Sequence, residues 1–182
     1  MVGLCEMPWG RDPEIRVSYN DGDGGFSHGT IMGLRVDGPL VGLSVADVDE
    51  DGYDDVVVGS PELSAVLMYR GTARGDVDSD APISTATPTA PGDVAVADID
   101  EDGHLDVVVT AVSTGYARVL YGTGTGSFPE SHVVATGGDV VGPVVVGQID
   151  GDASTDVVFG NDGDTADASV AVLLNTLDGR QH

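Results

Sequence analysis

A nine-residue acidic pattern recurs along the chain at an almost fixed interval, twice intact and once altered. The intact form, D-x-D-x-D-G-x-x-D, begins at Asp47 and again at Asp98. The altered copy begins at Gln148, so the offsets between copies are 98 − 47 = 51 and 148 − 98 = 50 residues. A period of this size predicts a chain of stacked repeats, in which each unit packs on its neighbours. We call these segments the first loop (47–55), the second loop (98–106) and the third loop (148–156).

The three loops are predicted to bind metal ions through oxygen atoms. Alternate carboxylates on a tight turn direct their oxygens at one centre, and hard oxygen donors in such number suit Ca²⁺. The ninth-position carboxylate is expected to supply the last ligand, and the backbone carbonyl at the seventh position a further one. The predicted ligands are Asp47, Asp49, Asp51, Tyr53 and Asp55 in the first loop, Asp98, Asp100, Asp102, His104 and Asp106 in the second, and Gln148, Asp150, Asp152 and Asp156 in the third.

The intact loops and the altered loop differ in their expected affinity for a cation. Four carboxylates that converge within about 4 Å repel one another by about 1 kcal/mol per pair in water, so an acidic turn without a cation is expected to open. Gly52 and Gly103 stand where the chain reverses, a conformation that favours glycine. In the third loop Gln148 is a neutral donor and Ala153 replaces the glycine, so we expect a weaker site there.

Composition narrows the fold and the classes of partner. The net charge is −24, and all seven basic residues are arginine, which disfavours nucleic acid as a partner. Aromatic residues make up 5% of the chain while glycine is abundant, as is typical of short strands and tight turns. The single Cys5 excludes an intramolecular disulfide. Neither a signal peptide nor a membrane span is predicted, so the chain is expected to be intracellular or a mature or truncated piece of a secreted protein.

Short β-branched runs on both sides of each acidic loop predict that the loop is the turn of a β-hairpin. A third strand is expected after each hairpin and a fourth after the first two. The predicted third strands are 65–69, 117–121 and 169–174, and the predicted fourth strands are 83–87 and 131–135. Four antiparallel strands in about 50 residues match one blade of a β-propeller. Near the N-terminus, residues 15–19 and 30–34 are predicted as the last two strands of an incomplete blade.

The predicted fold is therefore all-β, with about three and a half propeller blades in a single repeat domain over residues 1–182. Propellers commonly close with four to eight blades. We expect either that two copies of this chain complete one ring as a homodimer or that further blades lie outside this sequence. The predicted units are a partial blade over 14–39, a blade over 40–90, a blade over 91–140 and a partial blade over 141–182.

The repeats resemble the FG-GAP, or VCBS, repeats of integrin α-chain-type propellers. The resemblance is carried by V-A-D-V-D-E-D-G-Y-D-D-V-V-V-G-S at 45–60 and by its recurrence at 96–110. The turns at 23–26 and 124–128 are similar to the segment between third and fourth strands in that family. The resemblance implies a seven-bladed propeller, Ca²⁺ in the loop between first and second strands, an extracellular or cell-surface setting, and a role in cell adhesion.

Three functions remain open on sequence grounds. The first is a non-catalytic segment with structural Ca²⁺ that binds a protein or polysaccharide ligand. The second is part of a polysaccharide lyase of the propeller type, which would need basic side chains at a uronate, and the chain has seven scattered arginines and no lysine. The third is a carbohydrate-binding lectin, which would show an aromatic residue at the same phase of each blade. No catalytic constellation is recognised, and we favour the first.

Overall fold

The computed structural model describes residues 2–5, 14–27, 29, 31–34, 36–112, 114–138, 141–161 and 169–175. Within these ranges the regular structure consists of antiparallel strands, and no helix is long and apolar enough to cross a membrane. The strands are β1 (Val2–Cys5), β2 (Glu14–Val17), β3 (Tyr19–Asn20), β4 (Phe26–Ser27), β5 (Ile31–Gly33), β6 (Val41–Ala46), β7 (Asp55–Ser60), β8 (Ala65–Tyr69), β9 (Ile83–Ala86), β10 (Pro91–Ala97), β11 (Asp106–Ala111), β12 (Tyr116–Tyr121), β13 (Glu130–Ala135), β14 (Val141–Gly147), β15 (Asp156–Asn161) and β16 (Ser169–Leu173).

The strands form four main sheets in chain order. Strands β6-β7-β8-β9 form the first blade and β10-β11-β12-β13 form the second blade, each with four strands. Strands β14-β15-β16 form the third blade, and β1-β2-β5 form an N-terminal sheet. Each acidic loop connects the first two strands of its blade, as the sequence predicted. The all-β class and the four-stranded blades of a partial β-propeller are confirmed.

Successive sheets stack face to face and bury their shared surfaces. The first strands of the three blades are neighbours, since β10 lies against both β6 and β14. Side chains alternate across each strand, so Val56 and Val58 pack toward the N-terminal sheet while Val57 packs toward the second blade. Val108 then packs toward the third blade, against Phe159 among others. Both faces of the second strands, β7 and β11, are therefore buried, which explains their nearly continuous valine runs.

The N-terminal region differs from its predicted strands. The strands predicted over 15–19 and 30–34 are present as β2 and β5, which pair, but the predicted end at Tyr19 is wrong. Strand β2 ends at Val17, and β3 pairs with β4 in a separate two-stranded ribbon. The Asp21 carboxylate closes the turn of this ribbon by accepting hydrogen bonds from the Asp23 and Gly25 N–H groups. The N-terminal sheet also contains β1, which lies outside the 14–39 segment and pairs with β2.

A glycine-marked β-bulge recurs at the start of each blade. The register of the first hairpin shifts between Val41 and Ser44, and the same shift occurs 50 residues later in the second blade and again in the third. The second residue of each bulge is glycine: Gly42, Gly92 and Gly142. At Gly42 a β-carbon would lie 2.6 Å from the Val94 nitrogen, so the glycine permits close approach of two blades.

Candidate metal centres in the acidic loops

The first two loops each bring three carboxylates together. In the first loop one oxygen from each of Asp47, Asp49 and Asp55 lies within 4.8 Å of the others. In the second loop Asp98, Asp100 and Asp106 do the same. The two clusters occupy the same position in neighbouring blades, at the turn between the first and second strands.

Hydrogen bonds within each loop fix this arrangement. The Gly52 N–H donates to Asp47 Oδ2 at 3.0 Å, and the Gly103 N–H donates to Asp98 Oδ2 at 3.1 Å. Both glycines have left-handed backbone, with φ of 93° and 92°. Each loop also places a glutamate in this region, Glu50 at 58° and Glu101 at 63°. Left-handed backbone at a non-glycine residue is uncommon and concentrates at functional sites.

The ninth-position aspartate ties its loop to the chain that follows the third strand. Asp106 Oδ2 accepts a hydrogen bond from the Ile99 N–H at 2.8 Å, and its Oδ1 accepts one from the Gly122 N–H at 2.8 Å. Asp55 does the same with Val48 and Gly71, at 3.0 and 2.8 Å. The carboxylate thus joins three segments of one blade. This tether was not predicted from the sequence, although a glycine 16 residues after the aspartate recurs in both blades.

Burial opposes the negative charge of these carboxylates. Asp106 is hidden from solvent, and burial raises the pKa of its carboxyl to about 6 although the Gly122 and Ile99 N–H groups lower it. Burial likewise raises the pKa of Asp55, and the Asp49 charge adds to the rise. The ionised forms therefore lack sufficient compensation from the protein. A cation beside them would supply it.

Unpaired buried oxygens mark where such a cation fits. Within the part of the chain that the structure describes, Asp47 Oδ1, Asp49 Oδ1 and Asp98 Oδ1 are buried and have no hydrogen-bond partner. Each belongs to one of the two carboxylate clusters. A buried acceptor without a partner costs about 1–3 kcal/mol, and more if it is charged. The donor set is all oxygen, so these residues fit a hard divalent cation.

The remaining predicted ligands lie beside the clusters rather than in them. Asp51 Oδ1 accepts the Tyr53 N–H at 2.9 Å, and Asp102 Oδ1 accepts the His104 N–H at 2.8 Å, so both carboxylates stabilise the turn. The His104 ring instead contacts Glu50 Oε1 of the first loop at 2.6 Å. Ligation by Asp51, by Asp102 and by the seventh-position carbonyls stays a prediction.

The third loop has the same backbone path but a different interior. Gln148 Nε2 donates to the Ala153 carbonyl at 2.9 Å, where the intact loops present a carboxylate. Ala153 has φ of 81° and Gly151 has φ of 83°, so the glycine occupies the other left-handed position of the loop. The Ile149 and Asn175 N–H groups hold the pKa of Asp156 below its usual range. This carboxylate is stabilised by the protein itself, and ion binding by Asp150 and Asp152 stays a prediction.

The glycine that donates to the tether tolerates no side chain. A β-carbon on Gly122 would lie 2.0 Å from the Leu105 carbonyl oxygen, so Gly122→Ala must separate the two segments. We expect a loss of about 1–3 kcal/mol in the free energy of unfolding, measured by denaturant titration. Gly147→Ala is the matched control because nothing lies within 4 Å of its β-carbon position. Equal stability of the two variants would contradict the tether.

Comparison with known proteins agrees with this geometry. The family model described as an FG-GAP-like repeat matches residues 47–109, which include both intact loops. Comparison with curated proteins finds no match. Among solved structures, a chain of the Photorhabdus luminescens Tc holotoxin pore is similar over 90% of this chain, with a TM-score of 0.55 and 17% identity. This chain spans 8% of that chain's length, and the likeness shows the fold alone.

The fold and the loops thus define a partial β-propeller with acidic-loop repeats. The chain carries an FG-GAP-like repeat over residues 47–109, which confirms the resemblance predicted from the sequence for that stretch.

Proposed function

We propose that this chain is a Ca²⁺-binding propeller segment in which the ions stabilise the first and second loops. The observation that carries the proposal is the set of buried, unpaired oxygens on Asp47, Asp49 and Asp98. An ion in each cluster would pair these oxygens and offset the charge of the buried ninth-position aspartate. The ions are structural in this proposal, since they hold a turn between two core strands.

Ca²⁺ is favoured over Mg²⁺ by the form of the loops. Ca²⁺ accepts six to eight oxygen ligands in flexible geometry, including backbone carbonyls, whereas Mg²⁺ demands a near-ideal octahedron and keeps several waters. The intact loops offer clustered carboxylates on a turn and a carbonyl at Tyr53 or His104. The first and second loops are the strong sites in this proposal, and the third is weak or empty.

The Ca²⁺ affinities of two variants of the second loop distinguish an aspartate of the cluster from an aspartate that stabilises the turn. Asp98→Asn should weaken one of the two Ca²⁺ sites roughly tenfold or more, because it removes a charge at the centre of the cluster. Asp102→Asn removes the same charge from an exposed side chain that accepts a backbone N–H, and it should weaken the site much less. Calorimetric titration with Ca²⁺ measures both constants. Equal losses would add Asp102 to the ligands, as the sequence predicts, and an unchanged affinity in Asp98→Asn would contradict the assignment of the cluster.

We also propose that the segment is non-catalytic and serves adhesion or ligand binding outside the cell, with a protein or polysaccharide partner. The FG-GAP-like repeat supports this choice. The lectin alternative gains no support from two of the tyrosines, since Tyr69 is fully buried and Tyr121 packs against the core between the second and third blades. A lyase would need basic side chains at a uronate, and the chain has seven scattered arginines and no lysine.

A further inference from the structure

An arginine stands beside the first carboxylate cluster. Arg70 directly follows β8, and its Nε lies 2.8 Å from Asp49 Oδ2. The Asp49 side chain is 7% exposed and the Arg70 side chain is 49% exposed, so the guanidinium covers a nearly buried carboxylate from the solvent side. The other Asp49 oxygen, Oδ1, has no hydrogen-bond partner among the described residues. Thus Asp49 Oδ2 pairs with the Arg70 guanidinium, and Asp49 Oδ1 is left for the carboxylate cluster.

The second loop has no arginine at the equivalent position, and its own basic side chain, His104, contacts Glu50 of the first loop. Val56 pairs with Tyr69 in the first blade, and Val107 pairs with Leu120 in the second, so Tyr121 is the structural counterpart of Arg70. Asp100, the counterpart of Asp49, forms no ion pair among the residues that the structure describes. In the third blade Val157 pairs with Leu173, and the counterpart is Leu174. A positive charge at this position therefore occurs in the first blade alone of the three.

We infer that Arg70 is a built-in counter-ion that lowers the Ca²⁺ affinity of the first loop and keeps that loop formed when no ion is bound. This inference rests on the proposed function, because it concerns the regulation of the same site. The first and second loops then differ in role. The second loop binds Ca²⁺ more tightly and depends on it more, while the first responds at higher Ca²⁺ concentration.

Electrostatics sets the direction and size of the effect. A unit positive charge a few ångströms from a divalent ion in water repels it enough to weaken binding by roughly tenfold, and salt reduces this effect. Arg70 is half exposed, so the effect in water is the appropriate one. The first loop also carries Asp54, where the second has Leu105, but the Asp54 side chain is exposed and more strongly screened.

The test measures Ca²⁺ binding to the first loop alone. In an Asp100→Asn background, which disables the second loop, Arg70→Gln should tighten Ca²⁺ binding roughly tenfold in calorimetric titration. Arg118→Gln is the matched control. It removes the same charge from the third strand of the second blade, where Arg118 donates to Ser131 Oγ at 2.8 Å rather than to a carboxylate. The control should change the affinity by less than about twofold.

A second readout needs no metal. In the presence of a chelator, Arg70→Gln should melt at a lower temperature than the wild type, because Asp49 loses its counter-charge. In saturating Ca²⁺ this difference should disappear or reverse. Arg118→Gln should show the same small difference under both conditions.

The outcomes separate this inference from the proposed function. If neither the Asp100→Asn protein nor the wild type binds Ca²⁺, the proposed function fails. If both bind and Arg70→Gln leaves the remaining site unchanged or weaker, the counter-ion role is overturned and Ca²⁺ binding stands. If Arg118→Gln tightens Ca²⁺ binding as much as Arg70→Gln does, the change in affinity comes from the net charge of the protein, and the role of Arg70 is overturned.

Discussion

Replacing Asp106 with alanine should lower the free energy of unfolding by about 2–6 kcal/mol when measured in the presence of a chelator. The carboxylate is fully buried and accepts hydrogen bonds from the Ile99 and Gly122 N–H groups, each at 2.8 Å. Alanine leaves both donors without a partner in the interior, and each such group costs about 1–3 kcal/mol. Denaturant titration measures the loss. The chelator ensures that the result reports the tether and not a lost ion.

Two further variants serve as controls for the stability loss of Asp106→Ala. Asp102→Ala removes an exposed aspartate of the same loop, whose carboxylate accepts the His104 N–H, and it should cost about 1 kcal/mol or less. Asp156→Ala removes the same tether from the third loop, where Oδ1 accepts the Asn175 N–H at 2.9 Å. It should destabilise the protein equally with and without Ca²⁺. If Asp106→Ala and Asp102→Ala have the same stability, the ninth-position tether is wrong.

Withdrawal of Ca²⁺ should produce the other large change. An ion that binds only the folded chain at 100 times its dissociation constant stabilises it by about 2.7 kcal/mol, so two such sites contribute about 5 kcal/mol. For a chain of this size the melting temperature should fall by roughly 10–20 °C in chelator. Scanning calorimetry in millimolar Ca²⁺ and in chelator measures the difference.

Mg²⁺ and a loop variant provide the controls for this prediction. Mg²⁺ at the same concentration should restore much less of the melting temperature, because it keeps its water shell. The double variant Asp49→Asn, Asp100→Asn should melt at nearly the same temperature in Ca²⁺ and in chelator. A wild-type curve that is identical under the two conditions would contradict structural metal binding.

The blades could be predicted from the sequence because two local signals coincide there. Acidic turns at a 50-residue interval set the repeat, and the valine runs around them can only be core strands. The third strand of the first blade, β8 (Ala65–Tyr69), agrees with its predicted range, and β12 starts one residue earlier than predicted. The N-terminal sheet could not be predicted as well. Its strands are short, and after Val17 the chain enters a separate ribbon whose turn is held by Asp21.

The sequence predicted that the loops are carboxylate clusters. It did not predict which aspartates are buried and hydrogen-bonded to distant backbone groups. Asp51 and Asp55 have the same side chain, and spacing alone predicted both as ligands without separating an exposed carboxylate from a buried one. Their difference comes from burial and from the backbone groups that reach them, since Asp55 receives the Gly71 N–H from beyond the third strand. The Arg70 contact with Asp49 also joins residues that are distant in sequence. Both pairings are set by the packing of the blade. The tether recurs as a glycine 16 residues after the aspartate, whereas the arginine at position 70 has no counterpart in the other two blades.

A crystal structure of the protein grown in millimolar Ca²⁺ tests most directly whether the first two acidic loops each hold a Ca²⁺ ion. Anomalous scattering locates the ions independently of the protein coordinates. We predict two strong peaks, one 2.3–2.6 Å from Asp47 and Asp49 oxygens and one at the same distances from Asp98 and Asp100. Absence of a peak at both clusters in well-ordered crystals, or strong peaks only elsewhere in the chain, would contradict the account.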